Sequence, residues 1–169
     1  MDEIYGELAV AELSDPGGWR AVVGGSAHDL RSMALRHPWV VSVLGQIGLA
    51  TLGPNLTRWS EGLLAAFETA GFALDEADQA MNTLAAYVIG VATSEAAYLS
   101  MLARSGQSER DWIESLRPVA EQSVQEHPLL SAGYVARRDR DPREIRDDNF
   151  EYGLQRVLDG PAVRLGPAG

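Results

Sequence analysis

Arg36-His37-Pro38-Trp39 is the corner on which this chain turns. Pro38 pushes His37 away from helical angles, so a helix arriving at Arg36 ends there. Upstream, Asp15-Pro16 makes an N-cap and first-turn pair: the Asp oxygen meets orphan amides and the Pro needs no donor. A helix from there to Arg36 shows Trp19, Val22, Val23, Leu30, Met33 and Ala34. Gly24-Gly25 weakens its middle by about 1 kcal/mol per Gly relative to Ala. Downstream, Trp39–Leu44 reads as a short helix and Gly45-Gln46-Ile47-Gly48 as a flexible joint.

The rest of the chain also reads as helix. Residues 2–10 carry Ile4, Leu8 and Val10 around Tyr5, in what read as the last turns of a helix. Gly53-Pro54 starts a helix with Leu56, Trp59, Leu63, Ala66, Phe67 and Ala70 on one 3.6-residue stripe. Gly71 ends it as a left-handed cap, with Phe72 folding back. Residues 73–104 form the longest helix, where Ala77, Met81, Leu84, Val88, Val91, Glu95, Tyr98 and Leu102 step by four and three, a seam broken only by the Glu. Asp75, Glu76 and Asp78 suit its positive end. Ser108–Val124 is a further helix around Trp112, Ile113 and Leu116, interrupted at Pro118. Residues 131–144 are polar, with Arg and Asp alternating, and read as a mobile loop. A last helix, from about Arg143 to Asp159, presents Phe150, Gly153, Leu154, Val157 and Leu158 and stops at Gly160-Pro161; the tail after Leu165 is expected to be disordered.

A chain of 169 residues fits one domain, large enough to bury about two-thirds of its unfolded surface. Its net charge of -10, from 14 basic and 24 acidic groups, repels phosphate backbones, so no nucleic acid is expected to bind this segment alone. With no Cys, disulfides and thiolate metal sites are excluded. No apolar run reaches the roughly 18–20 residues that span a bilayer, and no signal peptide opens the chain. No membrane partner is therefore expected, and the default location is cytoplasmic.

In order, Trp19-Arg20, Arg36–Trp39, Gly53–Asn55, Gly71-Phe72, Tyr87-Val88-Ile89-Gly90 and Phe150–Gly160 resemble the regulatory C-terminal half of TetR-type (tetracycline-repressor-like) transcriptional regulators. The resemblance runs from about Ile4 to Leu165, so residues 1–165 are expected to form one ligand-binding and dimerisation domain and 166–169 a tail. It implies an all-α helical bundle that dimerises through a four-helix bundle. One departure is Ala73, where the family has a Ser capping the long helix; the lost oxygen costs about 1 kcal/mol. Another is that the family's N-terminal helix-turn-helix domain has no counterpart before Ile4.

The resemblance further implies a small-molecule cavity among the helices. Matching inner faces carry Ser26, Leu30 and Met33, then Trp59, Ser60, Leu63 and Phe67, then Met81, Asn82 and Ala85; Trp39, Leu44 and Gln46 lie on the segment that moves in relatives. Trp59, Leu63, Phe67 and Leu84 would equally fill a solid core, whereas the isolated polar Gln46, Ser60 and Asn82 suit a cavity. The family's namesake takes a magnesium chelate through a His after the corner. Between His37 and His127 there is none, so an apolar or aromatic effector is expected, without cofactor or metal. The dimer face is expected at Ala92, Ala96, Leu99, Phe150, Leu154, Val157 and Leu158, slim residues on one helix against bulky ones on the other; the alternative is that they bury within one chain. His28, His37 and His127 have no ligand spacing, and no nucleophile motif or phosphate loop is present. The chain therefore reads as a sensor and not an enzyme: a regulatory domain whose ligand controls DNA binding of an intact repressor, or alternatively a stand-alone protein that sequesters its ligand.

Overall fold

The computed structural model describes residues 2–10, 18–40 and 53–163, and among these it contains helices and no strands. The helices are α1 (Asp2–Tyr5), α2 (Trp19–Arg36), α3 (Pro54–Thr69), α4 (Leu74–Ser105), α5 (Glu109–Val124), α6 (Pro128–Val135) and α7 (Pro142–Ala162). The chain divides into two compact units, one made of residues up to Ala96 together with those from Tyr152 on, the other of Ala97–Glu151. The Asp15-Pro16 cap, most of the short helix and joint over 39–48, and the tail lie outside the described residues.

In the first unit, α2 buries Trp19, Val23, Ala27, Leu30, Met33 and Ala34, the i, i+3/i+4 face of an amphipathic helix. It stops at the corner as expected: His37 sits at φ -124 and ψ 67, its N–H donating to Met33 O, and residues 38–40 are again helical. α1 is shorter than expected. Gly6, Glu7 and Leu8 bond back to carbonyls three residues earlier, a tightening that ends a helix. The start of α3 lacks a local cap, because Gly53 has no side chain. Asp2 supplies it from a distance: its Oδ1 accepts the Asn55 N–H at 3.0 Å and its backbone oxygen accepts the Asn55 side-chain amide at 3.0 Å. A Cβ on Gly53 would fall 2.3 Å from the Asp2 carboxyl carbon, so only glycine admits this cap. The far end closes as expected, with Gly71 at φ 100, its N–H on Glu68 O, and the Phe72 N–H on Phe67 O, the two bonds of a Schellman ending. Phe72 thereby joins Trp19 and Phe67 in a three-ring cluster with centroids 5.3–5.7 Å apart.

α4 buries Ala77, Ala80, Leu84, Val88, Ala92 and Ala96, a step of three and then fours in place of the expected four-three alternation. By length and composition it is apolar enough to cross a membrane, although no uninterrupted apolar run in the sequence is. Its Glu95 is nevertheless ion-paired with Arg31. α7 contributes Leu154 and Leu158 to the same unit, both buried. Gly153 permits the approach: a Cβ there would lie 2.2 Å from the Tyr87 hydroxyl. Arg20 bonds to Leu158 O at 3.1 Å, Gln155 Oε1 at 2.9 Å and Asp159 Oδ1 at 2.8 Å, tying the start of α2 to the end of α7.

In the second unit neither α5 nor α6 has a buried residue. Its organising contact is polar: Glu109 takes the Tyr98 hydroxyl at 2.7 Å and pairs with Arg146, whose guanidinium lies over the Tyr98 ring, itself 5.4 Å from Trp112. Three expectations are corrected here and at the chain's end. α5 runs unbroken through Pro118; Glu114 and Pro118 are both exposed, so water can meet the carbonyl the proline leaves free. Part of the expected loop over 131–144 is helical, because Pro128 begins α6 at its N-terminal turn and the following turn is held by the Arg138 N–H on Tyr134 O. α7 likewise passes through Gly160-Pro161 to Ala162.

Candidate functional site

The site anticipated from sequence lies where α2 and α3 pack together. Ser26, Leu30, Met33, Trp59, Leu63 and Phe67 are all buried. Ser60 on α3, and Met81 and Ala85 on α4, are half-buried. Trp39 and Asn82 drop out of an internal site. Trp39 is 53% exposed, and Asn82 is exposed with its amide donating to Asp78 Oδ2 at 3.0 Å. Leu44 and Gln46 lie outside the described residues. Phe67 is committed to the ring cluster with Trp19 and Phe72.

One atom in this region has no counterpart. The Trp59 indole Nε1 is buried and has no hydrogen-bond partner. A buried donor left unmade costs about 1–3 kcal/mol, and among the described residues nothing accepts from this indole N–H. The same core holds an ion pair that sequence reasoning did not foresee: Arg31 Nε and Nη2 donate to the two Glu95 oxygens at 2.8 and 3.0 Å.

Two cavities are formed by residues other than these. One, of about 520 Å³ in the first unit, is lined by Phe72, Glu76, Gln79, Ala80, Thr83, Arg156, Val157, Gly160 and Pro161. The other, of about 780 Å³ in the second unit, lies among α5, α6 and the turn into α7. At the corner, Glu7 accepts from Arg36 at 2.7 Å and His37 Nε2 at 2.9 Å, and these two partners hold its carboxyl below the usual range. His37 is thus paired at a turn. Among the described residues no group of three or more His, Asp or Glu side chains could hold a metal ion.

The anticipated dimer face is corrected by burial. Ala92, Ala96, Phe150, Leu154 and Leu158 are at most 6% exposed in the single chain, so they leave a partner no surface to touch. Leu99 and Val157 are half-buried.

Residues 13–165 match the model described as "Tetracyclin repressor-like, C-terminal domain". The chain belongs to this family. It is 30% identical over 155 residues to the HTH-type transcriptional repressor DrrR1 of Streptomyces coeruleorubidus, an alignment covering 90% of this chain and 54% of that protein. The chain thus spans about half the length of the curated relative it matches. Among solved structures it is similar to the Streptomyces coelicolor TetR family protein ActR in complex with actinorhodin, with a TM-score of 0.71, 22% identity, and coverage of 98% of this chain and 73% of that one. That likeness establishes the all-α TetR-type fold.

Proposed function

We propose that this chain is the effector-sensing, dimerising regulatory domain of a TetR-type repressor, and that it works by binding and not by catalysis. Its effector is an apolar or aromatic small molecule carrying one hydrogen-bond acceptor, held between α2 and α3 among Leu30, Met33, Trp59 and Leu63. The observation that carries this reading is the unpartnered Trp59 Nε1 beside the buried apolar side chains of α2 and α3. Family membership and the repressor relative support the regulatory role. For the effector to act, it must prefer one of two packings of the domain, since equal affinity for both shifts nothing. The family resemblance puts the moving lever at residues 39–52, beside the corner.

Thermal unfolding of the 169-residue chain tests this, with and without actinorhodin (the compound in the ActR complex) or 2-naphthol. Trp59→Phe removes the orphan donor, so the free variant is expected to match the wild type within about 1 kcal/mol while losing ligand-induced stabilisation. Full ligand-induced stabilisation retained in Trp59→Phe overturns the reading. Leu63→Trp fills the site and abolishes stabilisation by ligand; full stabilisation in that variant places the ligand elsewhere.

A further inference from the structure

The 780 Å³ cavity of the second unit has a composition that the core site lacks. Its floor is apolar, with Ile113 and Val124 from α5, Tyr134 from α6 and Ile145 from α7, all half-buried. Its rim is crowded with arginines, and the carboxylates among them are already engaged. Glu114 pairs with Arg117, and Asp139 with Arg138 at 3.4 Å. Asp141 Oδ1 accepts the Arg143 N–H at 2.7 Å, capping α7. Arg140 is in turn neutralised by Asp148.

Two guanidinium groups are left over. Among the described residues neither Arg110 nor Arg137 has a carboxylate within the 4.0 Å of an ion pair. Arg137 is also held in place: its Nε donates to Gly133 O at 3.0 Å, and its Nη2 lies 3.4 Å from where a Gly133 Cβ would stand. The anchor uses one donor and leaves the Nη pair for another acceptor. Asp141 offsets one of the two cations, and the groove keeps a net positive charge in a chain of net charge -10, a local inversion of sign. The volume falls within the roughly 300–1,000 Å³ of small-molecule sites, and guanidinium matches the planar, bidentate geometry of a carboxylate.

We infer that this groove is a second ligand site, separate from the core site, that binds a hydrophobic carboxylic acid: its apolar body lies on Ile113, Val124, Tyr134 and Ile145, and its carboxylate is taken by Arg110 and Arg137.

The test is a calorimetric and amide-NMR titration of the 169-residue chain with 1-naphthoate, and with 2-naphthol as the uncharged analogue. Naphthoate is expected to bind saturably, shifting amides of α5 and α6, and to weaken at least tenfold in an Arg110→Ala/Arg137→Ala variant, whose exposed substitutions leave the melting temperature unchanged. Arg137→Lys keeps the charge and loses the fork, so it falls between. Trp59→Phe, which abolishes the core site, leaves naphthoate binding intact, so the two readings fail separately. Equal affinity in the double-alanine variant, tighter binding of naphthol than of naphthoate in the groove, or shifts confined to α2 and α3 would each overturn the assignment.

Discussion

Glu95 shows how far a single residue could be read in advance. Its interruption of an apolar seam on the longest helix was plain in the sequence. A carboxylate in such a position needs a cation, but nothing local says which of the arginines supplies it. The partner, Arg31, is on another helix, and both side chains are about one-tenth exposed. Removing one member strands a charge, so Arg31→Met is expected to cost about 3–5 kcal/mol in urea unfolding. Arg31→Met combined with Glu95→Leu should recover most of that loss, since no charge is then left behind; a double variant as unstable as the single would show the pair itself to be stabilising. Glu109 carries the corresponding prediction for pH. Burial pushes its carboxyl up, but the Arg146 pairing and the Tyr98 hydroxyl outweigh this and leave it below the ordinary value. Tyr98, half-buried and donating to that carboxylate, is pushed up to about 12. A depressed carboxyl contributes stability that is complete above its unfolded value of about 4.3 and is lost as pH falls through its lower folded value. The wild type should therefore lose more stability between pH 7 and pH 3 than Glu109→Gln, in paired urea titrations; parallel losses would leave Glu109 without a role in acid unfolding.

At the scale of elements, helices were legible wherever apolar periodicity and end signals agreed. α3 is the clearest example: its stripe, its Gly53-Pro54 start and its Gly71-Phe72 ending all stand as read. What the sequence could not disclose is that the cap comes from Asp2, fifty-odd positions upstream, because that contact exists only once α1 lies on α3. Asp2→Ala should destabilise the chain by about 1 kcal/mol, with Asp2→Asn losing less, as measured by thermal unfolding. Gly153→Ala should cost about 1–3 kcal/mol by forcing the Tyr87 ring aside, and pairing it with Tyr87→Ala should relieve that clash. α6 was missed because its apolar residues, Leu129, Leu130 and Val135, are exposed, so they show no buried stripe of the kind that periodicity detects. The buried faces of α2 and α3, on which the proposed core site is placed, were legible as stripes. Trp39 and Asn82 failed because family position does not fix which way a helix turns its polar residues. The arginine groove was hidden by its acidic neighbours, whose pairing decides which cations remain.

For the whole molecule, the unresolved tension is between the apolar composition of α4 and how little of it the chain covers: only 22% of its most apolar window is buried. Ala86, Gly90 and Thr93 lie exposed along one side, and a Cβ on Gly90 would meet no atom within 4 Å. Two such helices can approach closely because nothing bulky separates them, and a two-fold axis would make each the other's partner. In the proposed homodimer this slim face replaces the buried Ala92 and Ala96. Wild-type chain at micromolar concentration should then sediment at twice 18.2 kDa. Gly90→Arg, which has room in the single chain, should give a folded monomer with an unchanged helical spectrum. Since each protomer carries a net charge of -10, the two repel, and added salt screens that repulsion. The dimer should accordingly tighten between 50 and 300 mM NaCl, opposite to the behaviour of an interface held by ion pairs. A wild-type monomer under all these conditions would remove the dimer, and a Gly90→Arg dimer would move it to another face.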